Sequence, residues 1–233
     1  MADGVSRRDE LAANLADVRA RVAAACDAAG RPHEAVTLIA ITKTWPVSDA
    51  ALLRDLGVAD LGENRDQEAA VKAAEVTGVR WHFVGQLQTN KARSVARYAD
   101  VVHAVDRPHL VEALSAGAVR AGREVEALVQ ASLDGDPGRG GARIEEVPEV
   151  AELVARAPGL RLGGVMAVAP LALLPADAFA RLADVAARVR ADHPGATTIS
   201  AGMSADLEEA IAAGATHVRV GSAILGVRHP PLG

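Results

Sequence analysis

Eight short runs of bulky, largely β-branched residues recur along the chain, and between consecutive runs the apolar residues take helical spacing. That alternation constrains the fold more than any motif in the sequence. The runs lie at 36–44, 58–61, 79–84, 101–104, 125–133, 160–167, 197–200 and 216–220. Eight strand-and-helix units without a large insertion predict an α/β fold, a single (β/α)8 TIM-type barrel domain over 1–233. An open doubly wound sheet is the alternative, and it requires a short run, above all the second or fourth, to be misassigned. Before the first strand, Leu11, Leu15, Val18, Val22 and Ala25 mark one face of an additional N-terminal helix within 1–30, with Ser6 and Asp9 near its start. Ser48 and Ser204 read as helix caps, 86–99 as the third covering helix, and Gly122 as the end of the fourth.

Composition narrows the function classes. Half the residues are apolar, 24% are charged and the net charge is -5, so the acidic balance argues against non-specific nucleic-acid binding. Cys26 is the only cysteine, and the seven histidines, His33, His82, His103, His109, His193, His217 and His229, show no compact metal-ligand spacing, so no metal site is assigned. No apolar signal core follows Arg7 and Arg8, and the apolar segment 163–175 contains proline and is too short for a membrane helix. The expected location is the cytoplasm.

In a barrel of this kind ligands bind at the C-terminal ends of the strands. Lys43 stands at that edge of the first strand, although a lysine there also marks where a chain meets water. Ser200, Gly202, Met203 and Ser204 follow the seventh strand, and Gly221, Ser222 and Ala223 follow the eighth. These two connections are the expected phosphate cradle, because glycine lets the backbone approach and helix-start N–H groups meet phosphate oxygens. A neutral lysine amine attacks an aldehyde to form an imine, so Lys43 with this cradle describes a pyridoxal phosphate site, and equally a phosphate-binding aldolase. Arg219 alternates with Val218 and Val220, which supports an inward or rim-facing position, with an ordinary salt bridge as the alternative; beside a pyridine nitrogen it would disfavour protonation. Asn64 sits at a strand-to-helix junction, whereas Glu63, Arg65, Gln67, Glu68 and Lys72 read as solvated helix residues. His82, Gln86 and His217 fit either a site or packing. The glycine-rich segment 134–143 lacks dinucleotide-binding spacing and reads as a mobile loop.

LIAITKTWP around Lys43, LGENRDQE around Asn64, WHFVGQLQTNK over 81–91 and the closing GMSADLEEAIAAGATHVRVGSAILG together resemble the pyridoxal phosphate homeostasis protein family, over nearly the whole chain. The resemblance implies a fold like the N-terminal barrel of alanine racemase, with Lys43 as the internal aldimine and Asn64 near the cofactor. It further implies Ser200, Gly202, Met203 and Ser204 on one side of the phosphate, Gly221 and Ser222 on the other, and Arg219 by the ring. Met166 and Met203 are candidates to shape the pocket. Gln86 replaces a histidine common in the family, so no proton-transfer role attaches to it.

The family resemblance implies a carrier role in intracellular vitamin B6 and amino-acid balance, with apo pyridoxal phosphate-dependent enzymes as recipients. A small amino-acid racemase is the alternative. Racemase chemistry of the related type uses a second domain, a dimer partner and a tyrosine on the opposite cofactor face. Tyr98 is the only tyrosine and falls near the end of the third covering helix, and a monomer is expected.

Overall fold

The computed structural model describes residues 5–136 and 140–226. Helix α1 (Arg7–Ala28) leads into strand β1 (Thr37–Ile41), followed by α2 (Val47–Asp55), β2 (Asp60–Glu63), α3 (Asp66–Glu75), β3 (Arg80–Phe83) and the single turn α4 (Ala92–Val95). Then come β4 (Val101–Val105), α5 (Pro108–Ala121), β5 (Val125–Ser132), the two-residue β6 (Ala142–Arg143), α6 (Val147–Arg156) and β7 (Leu160–Met166). The described chain ends with α7 (Pro175–Asp192), β8 (Thr198–Ser200), α8 (Leu207–Ala212), β9 (His217–Val220) and α9 (Ser222–Leu225).

All pairings are parallel, and the ring closes because β1 pairs with both β2 and β9 while β4 pairs with β5. Setting β6 aside as an appendage on β5, eight strands form the closed barrel that the alternation predicts. Parallel strands with both faces covered need apolar residues on the helix side, and β9 shows the division. Val218 and Val220 join Leu11, Leu15, Val18 and Val22 of α1, and Leu207 and Ile211 of α8, in one buried cluster. His217 and Arg219 therefore face the barrel interior. Each leucine removed from water in such a cluster contributes about 1.5–3 kcal/mol.

The local differences from the sequence reading have physical causes. Strand β2 begins two residues later than read, because Val58 packs in the α1 cluster and its N–H closes on Leu53 O at the end of α2. The helix read over 86–99 shrinks to a 3-10 turn, Thr89–Lys91, and α4. Ser48 lies inside the first turn of α2, whose N-cap is Pro46, and Ser204 precedes α8, whose N-cap is Asp206. Ser6 caps α1 as read, accepting from Asp9 N, and Gly122 ends α5 at φ 64°. In the segment read as a mobile loop, Gly141 N donates to Asp106 Oδ2 and β6 pairs with Ala131 and Ser132; residues 137–139, and His229, lie outside the described residues. Among the described residues no helix is long and apolar enough to cross a membrane.

Candidate functional site at the barrel rim

Lys43 sits two residues past the end of β1 with an exposed side chain that makes no hydrogen bond or ion pair among the described residues. Thr44, next to it, takes φ 68°, the only non-glycine residue at positive φ among those described. A β-branched residue there is a conformational outlier of the kind that persists where surrounding structure over-determines it. The constraint comes from α3: Glu68 Oε2 accepts from Thr44 N at 2.9 Å.

One residue before Lys43, Thr42 is locked from the same side. Lys72 Nζ donates to Thr42 O at 2.7 Å and to Glu63 Oε1 at 2.6 Å, and Thr42 Oγ1 donates to the same Glu63 oxygen at 2.6 Å. Glu63 and Lys72 are buried at 1% and 3%, which corrects their reading as solvated residues. The loss of water is the reason the partners pair: neither charge is tolerated in the interior alone. Burial pushes the Glu63 carboxyl up from its ordinary value, opposed by the hydrogen bonds from Lys72 and Thr42.

The two glycine-serine connections converge as the barrel predicts. Ser222 Oγ donates to Ser204 Oγ at 3.3 Å, joining positions 18 apart in sequence. Gly221 lies against β1, where an added Cβ would stand 3.3 Å from Ile41 O, and Gly202, at φ 87°, has no room for a Cβ, which would meet that of Ala210 at 2.6 Å. Met203 N donates to Asp206 Oδ1, and its side chain is 39% exposed at the rim. Met166, by contrast, is buried inside the barrel with Val101, Ala104 and Leu128.

Helix α1 holds these connections from behind, a function its sequence does not signal. Arg21 Nη2 donates to Ser204 O at 3.1 Å, Asn14 Nδ2 to Ile224 O at 2.9 Å and Arg7 Nη2 to Leu225 O at 3.0 Å. The Arg7 guanidinium also lies 4.7 Å from the ring centre of Trp45, two residues beyond Lys43. These donors alternate with the buried stripe of α1, so the helix that covers the barrel also reaches both cradle loops.

Arg219, 5% exposed, reaches inward from β9: Nη1 donates to Ser200 Oγ at 2.6 Å and Nη2 to Ala167 O at 2.9 Å. Burial lowers its pKa to about 10, so it stays cationic at neutral pH. Ser200 is fully buried and its oxygen is taken up by Arg219 and His103 rather than by the Ser204 and Ser222 pair. His82 lies in the same interior, bonded to His103 and Asp60. Asn64 and Gln86 line one cleft beside the rim with Arg65 and Lys91, and Asn64 Oδ1 is a buried acceptor without a partner among the described residues. Tyr98 donates to Asp66 Oδ1 from a groove lined by Trp81 and Arg97; burial and the Asp66 carboxylate push its pKa up.

The buried imidazoles give a pH test. Burial, and then His82, lower His217 from 6.5 to about 4, and burial lowers His103 in the same direction. A depressed folded pKa means that the unfolded chain takes up protons the folded one refuses, so this stabilisation is present above 6.5 and is lost as pH falls toward about 4. Glu63, with its raised pKa, acts with the opposite sign. We therefore expect His217→Gln to lose less stability than the parent between pH 6.5 and pH 4.5 in urea unfolding; an identical loss in both would contradict the assignment.

A family model described as alanine racemase, N-terminal domain, matches residues 8–229, which sets the class of barrel. The chain belongs, within that class, to the pyridoxal phosphate homeostasis protein family. It is 44% identical to the pyridoxal phosphate homeostasis protein of Mycobacterium tuberculosis over 95% of this chain and 94% of the relative. The corresponding Escherichia coli protein is 38% identical over 94% of this chain and 97% of its own. Among solved structures, PipY of Synechococcus elongatus PCC7942 with PLP bound superposes with a TM-score of 0.81 at 32% identity, covering 93% of this chain and 100% of that one.

Proposed function

We propose that this chain binds pyridoxal 5'-phosphate and keeps it available in vitamin B6 and amino-acid homeostasis, acting in the cytoplasm as a monomer and passing the cofactor to apo enzymes that depend on it. One observation carries the reading. Past the ends of the neighbouring strands β8, β9 and β1 the rim gathers an exposed amine without a partner among the described residues, a buried cation and a pair of hydroxyls on glycine-flanked loops. When bound, pyridoxal phosphate supplies an aldehyde that condenses reversibly with a primary amine.

Lys43 offers that amine from a loop whose backbone is held on both sides of it by α3. Ser204 and Ser222 offer hydroxyls to the phosphate. Gly202, Met203 and Gly221 bring backbone to the same place, and the missing Cβ of Gly221 keeps the approach to β1 open. Arg219 presents donors toward the ring nitrogen and opposes its protonation. Asn64, directly after β2, has a buried Oδ1 without a partner among the described residues, an acceptor that a bound ligand could use.

Equilibrium dialysis with pyridoxal phosphate tests the binding. Each hydroxyl bonded to a charged phosphate is worth about 1.5–3 kcal/mol, so Ser204→Ala with Ser222→Ala is expected to weaken binding by about a hundredfold or more. Unchanged affinity would remove the cradle from the account, and no uptake by the parent protein would end it. Delivery is tested by mixing loaded protein with an apo enzyme; transfer no faster than spontaneous release counts against the carrier role.

A further inference from the structure

Inside the barrel polar side chains form one continuous line from Arg219 to Asp60, and with both imidazoles neutral its sense is set from the Asp60 end. Arg219 has only donors, so at the Nη1 contact of 2.6 Å the Ser200 oxygen accepts. With both rings neutral, Ser200 directs its own proton to His103 Nδ1 at 2.9 Å and the His103 proton sits on Nε2. His103 Nε2 donates to His82 Nδ1 at 2.9 Å, so His82 also keeps its proton on Nε2 and gives it to Asp60 Oδ1 at 2.8 Å. An ionised carboxylate only accepts, which closes the line. Running it backwards would require protons on both nitrogens of His82, because its Nε2 already donates to Asp60. His217 stays outside it, with its ring centre 6.3 Å from that of His82 and Nδ1 paired with Thr216 Oγ1.

We propose that Asp60, His82 and His103 are positioning residues that act through Ser200 to hold the Arg219 guanidinium in one orientation, as a pure donor toward a ligand ring nitrogen. Every proton along the line points away from the rim toward Asp60, so none of its members can pass a proton to that nitrogen. Arg219 is tied at two of its nitrogens, to Ser200 and to Ala167 O, and this fixes the plane of the fork. The full burial of His103 and its neutral state at ordinary pH accord with an imidazole that only relays hydrogen bonds. The ligand in this account rests on the pyridoxal phosphate reading above, whereas the tautomers are properties of the protein alone.

Long-range nitrogen–proton correlation spectra of the 15N-labelled, ligand-free protein at pH 7 are expected to show His82 and His103 as neutral Nε2–H tautomers. A proton on Nδ1 of either ring, or a doubly protonated ring, overturns the line. Pyridoxal phosphate titration then tests its effect: His103→Leu is expected to bind about tenfold more weakly, with a shifted visible absorption of the bound cofactor. His103→Gln, which supplies one acceptor and one donor, is expected to restore both. A folded His103→Leu with parental affinity and spectrum overturns the positioning role, and so does a folded His103→Gln as impaired as the leucine variant. Should His103→Leu fail to fold, His103→Gln and the tautomer spectrum decide. Should the parent protein take up no cofactor, the proposed function falls while the tautomer spectrum still decides the line.

Discussion

Lys43→Ala is expected to abolish covalent capture of pyridoxal phosphate while leaving the fold intact. The chain has three lysines, Lys43, Lys72 and Lys91, and the structure separates them. Lys72 is sealed against Glu63 and Thr42, so its amine is engaged by both and has no room to attack. Lys91 ends the 3-10 turn in the connection after β3, which β2 separates from β1, whereas the cradle lies on the other side of β1. Lys43 alone combines exposure, no partner among the described residues and a place on β1 next to β9. Borohydride reduction of the loaded protein followed by peptide mass spectrometry should give one adduct, at Lys43, and none in the variant. Because the side chain is exposed, the variant's unfolding free energy should move by no more than about 0.5 kcal/mol. An adduct at Lys91 in the parent protein, or capture surviving in the variant, would refute the assignment.

Lys72→Met is expected to produce the largest loss of stability of any single change at the rim. It strands the Glu63 carboxylate in an interior site where one oxygen, Oε2, already lacks a partner among the described residues. Removing one member of a buried ion pair costs about 3–5 kcal/mol, because the remaining charge is uncompensated. Replacing both members, Glu63→Met with Lys72→Met, should recover most of that loss, since the desolvation cost disappears with the charges. Urea unfolding at pH 7 measures both, and a single variant within about 1 kcal/mol of the parent would show that water reaches the pair. The same variant frees Thr42 O, so capture at Lys43 should slow even where the protein remains folded.

Much of this was legible in the residues. The eight apolar runs gave the barrel because strand and helix periods are local properties of the chain, and the inward turn of Arg219 followed from alternation along β9. The approach of Ser204 to Ser222 followed from the barrel rule that places the last two connections side by side. Ser200 shows where such reasoning stops. Its place after the seventh apolar run suggested a phosphate ligand, but the structure turns its hydroxyl into the interior, between Arg219 and His103. Glu63 and Lys72 looked like two charges on a solvated helix, since nothing in a linear spacing of nine residues states that one lies on a strand beneath the other.

What the sequence determined by itself, then, is the set of elements and the rim on which Lys43, Ser204 and Ser222 stand, because backbone period and glycine placement act over a few residues. What only the tertiary structure decided is which polar groups meet. Closing the ring of strands brings His103 to Ser200 across 97 residues and lays Lys72 under the loop of Lys43. Once water is excluded there, each buried donor must find an acceptor, and the partners available are set by the barrel rather than by neighbours in the chain.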